Sequence, residues 1–242
     1  MYLIREGDHS KPTAVFQELV NDSSGEKGQL MFFPHHGGAT YFAQMGIPER
    51  KLIDWCRETF IRPDKVFVDI GAHVGTYTFS MAPHALHTWA FECTPRTFCY
   101  LSANIALHNL EDKVSPKPCA LGEENGATEI VIRSGDGGGN GRPMNTAYDE
   151  GHSRVRVEMR TLDSFAIENI GFIKMDVEGF EKQVILGATN TLARSNYPPI
   201  VFESWKAPGD GASHSDVFAT LAGIGYRYQQ IMGTDGMWLA TH

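Results

Sequence analysis

An α/β fold built on a largely parallel sheet, with helices on both faces, is what this sequence predicts, and three observations predict it. From residue 46 onward, helical patterns alternate with short apolar runs. That order places successive strands side by side in one sheet and sends the helices across its faces. The apolar run Val66–Ile70 leads into a turn bearing Gly71 and Gly75, and then into a helix. The chain closes on two strand patterns separated by Gly233-Thr234-Asp235-Gly236, a hairpin that adds an antiparallel strand.

Each element follows from a local signal. Pro48 opens an amphipathic helix to about Phe60, with Ile53, Cys56 and Phe60 on one side. Val66–Ile70 reads as the first strand, and Pro83 ends the helix that follows it. Thr88–Glu92 is the next strand; Thr94 then caps a helix with Pro95 at its first position, running to about Asn109. Val114–Leu121 and Ala127–Ile132 read as two further strands. Val155–Met159 alternates, with Arg154 and Arg156 outward. Phe172–Val177 is a strand, followed by helices to Leu186 and Arg194. Pro199–Glu203 is a strand, Ser213 and Asp216 suit a capping box for a helix to Ile224, and Tyr226–Ile231 pairs with Met237–Ala240.

Composition narrows the function. The 242 residues are 42% hydrophobic and 21% charged, the profile of a globular protein. A net charge of −8 without dense Lys or Arg clusters excludes the electrostatic footprint of a nucleic-acid binder. Cys56, Cys93, Cys99 and Cys119 form no CxxC pair, which argues against a zinc site or a disulfide framework. The stretch 70–91 lacks Asp, Glu, Lys and Arg but holds His73, His84, His87 and Pro83, so no membrane span is expected. The opening MYLIREGDHSK has no apolar signal core, and a cytoplasmic location is the expectation. Residues 1–45 read as an N-terminal extension, a substrate or lid segment ahead of a single domain over 46–242. The glycine-rich segment 134–141 reads as a surface loop, with a lid as the functional alternative.

The turn at 66–78, VFVDIGAHVGTYT, carries the cofactor argument. Glu92 ends the next strand 21 positions after Gly71, where an acid accepts the hydroxyls of a ribose. The GxGxxG spacing of a dinucleotide site is absent. Asp69 stands at the mouth of the turn, where a pyrophosphate would meet an unpaired carboxylate. A cationic ligand without phosphate, S-adenosylmethionine, suits that charge; an Asp that merely satisfies turn amides is the structural alternative.

These residues resemble class I S-adenosylmethionine-dependent methyltransferases, and the fuller pattern is similar to the FkbM-like family. It comprises VDIGAHVGTYT, AFECTPRTFCYLSANIALHNL, ALG, TLDSF, IKMDVEGFEKQVILGA and IVFES, in the family's order over about residues 64–205. The family usually has asparagine where His73 stands. The resemblance implies a Rossmann-like, seven-stranded, mostly parallel sheet with an antiparallel C-terminal hairpin strand. It also implies O-methylation of a hydroxyl on a sugar, glycan or small-molecule natural product. It further implies that Asp69, Gly71, Ala72, His73, Gly75 and Glu92 hold S-adenosylmethionine and its product S-adenosylhomocysteine, with Ala120 and Leu121 beside the adenine.

In IKMDVEG, alternation puts Lys174, Asp176 and Glu178 on one face of a strand that should be apolar throughout. An alcohol acceptor must lose its proton, which calls for a base within hydrogen-bond reach. Asp176 is the first candidate for that base or for orienting the acceptor, and Glu178 the second. Lys174 stands with them as a catalytic candidate, a buried ion pair with Glu178 or Glu181 being its structural alternative. A metal-assisted variant would place Mg²⁺ between Asp176 and Glu203. His35 and His36 read as a polar turn, with a base-carrying flap as the alternative, and Trp205 as a core or sugar-stacking residue. Two competing functions are a non-catalytic S-adenosylmethionine or nucleoside binder, and an NAD-dependent oxidoreductase. The acids at 176 and 178 oppose the first, and the glycine spacing opposes the second.

Overall fold

The computed structural model describes residues 2–5, 12–19, 29–34, 49–132, 141–143, 153–204, 208, 216–234 and 236–242. Ahead of the main domain, β1 (Tyr2–Arg5), β2 (Pro12–Leu19) and β3 (Gln29–Pro34) form an antiparallel three-stranded sheet. Pro48, His35, His36, Trp205, Ser213 and the loop 134–140 lie outside the described residues.

The first helix, α1 (Arg50–Phe60), buries Leu52, Ile53 and Cys56. It leads to β4 (Val66–Ile70), α2 (Thr76–Met81), β5 (His87–Phe91), α3 (Pro95–Leu107) and β6 (Val114–Lys117). Next come β7 (Ala120–Leu121), β8 (Gly126–Ile132), β9 (Gly141–Pro143) and β10 (Ser153–Arg160). The chain finishes with β11 (Ile170–Met175), α4 (Glu181–Leu186), α5 (Thr189–Arg194), β12 (Ile200–Glu203), α6 (Asp216–Gly223), β13 (Arg227–Gln230) and β14 (Met237–Thr241).

Seven strands form the main sheet in the order β13-β14-β12-β11-β4-β5-β6. Neighbours from β12 to β6 run parallel, and β14 runs antiparallel to both β12 and β13. The architecture is the Rossmann-like one expected. The stretch 114–121 departs from the expectation of one strand. Pro118 cannot donate to a ladder, and the chain leaves the main sheet there. β7 instead joins a second, four-stranded sheet in the order β7-β10-β8-β9. On β10, Arg154 and Arg156 are exposed and Val157 is buried, as the alternation predicts.

The two faces of the main sheet carry separate cores. Leu52, Ile53, Cys56, Tyr77 and Met81 of α1 and α2 cover Phe67, Phe172 and Val201 on one face. Val184, Ile185, Leu192, Phe218 and Leu221 of α4 to α6 cover Val68, Ile173, Met175 and Phe202 on the other. On the first face the rings of Phe60, Phe172 and Phe67 stack, with centroids 4.9 and 5.6 Å apart. Each buried ring contributes about 1.5–3 kcal/mol, which pins α1 across β4 and β11. Chain order reverses between β4 and β11, so their carboxyl ends flank the crevice where a sheet of this kind binds ligands.

Candidate active site

The crevice is built from two turns that leave neighbouring strands. After β4 the backbone turns at Gly71, whose φ of 75° is left-handed. The amides of Gly71 and Ala72 both donate to the Phe91 carbonyl at 2.9 Å, tying the turn to β5. A Cβ on Gly71 would lie 1.8 Å from the carbonyl oxygen of Asp176, and one on Gly75 2.1 Å from the Phe79 ring. The glycines are therefore required by close packing within the protein. His73 has φ 54°, a left-handed conformation in which His and Asn are both enriched, which accounts for His where the similar family has Asn.

Glu92 closes the turn from the other side. Its Oε2 accepts the His73 amide at 3.0 Å and its Oε1 accepts the Thr94 amide at 2.7 Å. The carboxylate thus orients the turn through backbone groups and also meets the Thr94 hydroxyl. Burial pushes its pKa up, and those amides pull against that rise. Ala120 and buried Leu121 follow the carboxyl end of β6, the strand beside β5.

Asp69 lies beneath the turn and is fully buried. Its Oδ2 accepts the Thr78 hydroxyl at 2.6 Å, and its Oδ1 has no hydrogen-bond partner among the described residues. Burial raises its pKa, with Lys174 and Thr78 opposing. Its enclosure places it behind the turn, to which it is tied through Thr78.

Lys174 is the cross-strand neighbour of Asp69. Its side chain is 6% exposed, and its Nζ sits 3.4 Å from the Gly71 carbonyl and 3.3 Å from Asp176 Oδ2. The partner of the ion pair is Asp176, where the sequence favoured Glu178 or Glu181. The Tyr77 ring covers Nζ at 5.0 Å. Burial works against the ammonium, but Asp176, Asp69 and Glu49 together hold its pKa above that of an ordinary lysine.

Asp176 follows β11 and is 35% exposed, open to the crevice. Glu178 is exposed, with φ 55°. β12 pairs with β11 in parallel, so Glu203 at its end lies beside the Asp176 position. Among the described residues no group of three His, Cys, Asp or Glu side chains is placed to hold a metal ion.

Sequence reasoning missed Glu49 and Tyr77, and named Glu181 only as an alternative partner for Lys174. Glu49 accepts the Tyr77 hydroxyl at 3.1 Å, although the two stand 28 positions apart. Glu181, in the first turn of α4, is 6% exposed and accepts the Gly179 amide at 3.1 Å. Burial lifts its pKa to about 7 despite backbone hydrogen bonds, with the Asp176 charge adding to the rise. An acid in the first turn of a helix was a readable signal for Glu181; nothing local marked Glu49 or Tyr77.

The residues fit a cationic donor without phosphate. Among the described residues, the carboxylates Asp69, Asp176 and Glu49 face the Lys174 ammonium, and Oδ1 of Asp69 has no hydrogen-bond partner.

Comparison with known proteins places the chain in a family and a fold. The family model described as "Methyltransferase FkbM domain" matches residues 69–228. No curated protein matches the chain. Among solved structures, the methyltransferase FkbM of Methylobacillus flagellatus KT is similar, with a TM-score of 0.52 and 17% identity over 74% of this chain. The chain spans 44% of that protein's length. A putative rRNA-methylase of Clostridium thermocellum has a TM-score of 0.51 and 10% identity, covering 78% of this chain and 91% of the other. At these identities the structures show a shared fold. Among the described residues no helix is long and apolar enough to cross a membrane.

Proposed function

From the premise that the chain belongs to the FkbM methyltransferase family, we propose that it transfers a methyl group from S-adenosylmethionine to a hydroxyl of a sugar, glycan or small-molecule natural product. The observation that carries the reading is the position of Lys174 Nζ, 3.4 Å from the Gly71 carbonyl and 3.3 Å from Asp176 Oδ2. One buried ammonium ties the donor turn to the carboxylate that faces the open crevice.

S-adenosylmethionine supplies an electrophilic methyl group on a sulfonium. The turn Gly71-Ala72-His73, supported by Glu92 and Asp69, would hold the donor, with Ala120 and Leu121 on the adenine side. Asp176 receives the proton of the acceptor hydroxyl or orients that hydroxyl, with Glu178 next to it on the same turn. Alignment contributes much of the acceleration, because displacement at the methyl carbon needs reacting atoms about 3–3.5 Å apart. Asp176 is paired with Lys174, so the protein supplies the counter-charge at this position itself and the proposal needs no Mg²⁺. Acceptor contacts fall to the segments 1–45, 133–153 and 204–213, and loops of this kind vary independently of the scaffold.

The test is a screen of hydroxylated acceptors by mass spectrometry with S-adenosylmethionine as donor, in buffer with excess EDTA. A mass gain of about 14 daltons on an acceptor hydroxyl, produced by wild type and lost in Asp176→Asn, is the expected outcome. Methylation confined to nitrogen or carbon acceptors would overturn the hydroxyl assignment. A requirement for added metal would overturn the metal-free one.

A further inference from the structure

We propose that Glu49 and Tyr77 are positioning residues for methyl transfer, setting the location of the Lys174 ammonium between the donor turn and Asp176. The proposal rests on the reading of Asp176 as the acceptor-facing carboxylate.

The contacts form a continuous chain from three elements. Glu49 immediately precedes α1, and its Oε2 accepts the Tyr77 hydroxyl at 3.1 Å. The Tyr77 ring, 3% exposed, lies 5.0 Å from Lys174 Nζ. That nitrogen reaches Asp176 Oδ2 and the Gly71 carbonyl. The groups facing it are Asp69 from β4, Asp176 from the turn after β11, Tyr77 from α2 and Glu49 ahead of α1.

Glu49 is also strained. Its φ of 55° and ψ of 22° are left-handed, a conformation that is costly for a non-glycine residue and gathers at functional sites. It makes no side-chain cap to α1, so capping does not account for the strain. The aromatic stack of Phe60, Phe172 and Phe67 holds α1 against the sheet, which keeps Glu49 over Tyr77. An ammonium 6% exposed has little water to fix it. Its position is set by the ring above it and the charges around it, and a flat phenol anchored by its hydroxyl gives that ring one orientation.

The experiment reads Lys174 directly. In protein labelled with ¹⁵N-lysine, the Lys174 ammonium signal is assigned by its loss in Lys174→Arg. Glu49→Gln and Tyr77→Phe should each speed exchange of its protons with water on the order of tenfold, whereas Glu49→Asp should retain wild-type protection. With the acceptor from the screen, the same two variants should lose roughly tenfold or more in kcat, with the Kd for S-adenosylmethionine changed less than about twofold. Unchanged Lys174 exchange in both variants would overturn the proposal, whatever happens to turnover, as would an exchange change with kcat intact. A wild-type protein that methylates no hydroxyl, while its Lys174 signal still responds to Glu49→Gln, would sink the acceptor reading and leave the positioning contacts standing.

Discussion

Gly71 and Asp176 touch backbone to backbone, so closely that a methyl group on Gly71 would sit 1.8 Å from the Asp176 carbonyl oxygen. The turn after β4 and the turn after β11 are thus one packed unit, and neither can move without the other.

Gly71→Ala should therefore damage both halves. The added Cβ meets backbone that cannot rotate away, at a φ of 75° that already costs a non-glycine residue about 1 kcal/mol or more. Thermal unfolding should show a lower midpoint, and calorimetry should show at least a tenfold loss of S-adenosylmethionine affinity. A variant with wild-type midpoint and affinity would show that the turns are not coupled this way.

His73→Asn should leave donor affinity within about threefold of wild type. The hydrogen bond that ties this residue to Glu92 is made by its backbone amide, at 3.0 Å, and asparagine tolerates the same left-handed backbone. A tenfold loss in a titration with S-adenosylmethionine would instead assign the imidazole a direct contact.

Glu181→Gln should stabilise the protein at pH 8. Burial lifts the folded-state pKa to about 7 from the ordinary 4.5. A raised carboxyl contributes stability that is complete below the unfolded value and is lost as pH rises from about 4.5 through 7. Above that window the wild type carries a buried charge that the amide lacks, while the amide oxygen can still accept from Gly179. The gain should reach at most about 3 kcal/mol at pH 8 and shrink toward zero near pH 4.5, measured by urea unfolding. A variant less stable than wild type at pH 8 would show that the charge is favourable in the fold.

Much of the scaffold was legible because its signals are local. The run Val66–Ile70 has the same limits in sequence and structure, and the turn glycines announced positive φ. The DxGxxxG pattern and the break in apolar character at Lys174 and Asp176 pointed to the crevice. Less legible was anything set by chain crossing. Pro118 divides 114–121 between two sheets, a consequence of where the chain goes after β6. The partner of Lys174 is decided by side-chain reach across a turn, which alternation does not encode. Glu49 joins the site because α1 crosses the sheet, and the contact spans 28 positions. Asp69 was expected at the mouth of the turn; the structure buries it beneath, held by the Thr78 hydroxyl from the first turn of α2.

The most direct test compares Asp69→Ala and Asp176→Asn by calorimetry with S-adenosylmethionine and by turnover on the same preparations. The account predicts that Asp69→Ala loses donor binding, while Asp176→Asn binds the donor as wild type does and turns over about 10²–10⁴-fold more slowly. Equal loss of binding in the two variants, or full turnover in Asp176→Asn, would contradict it.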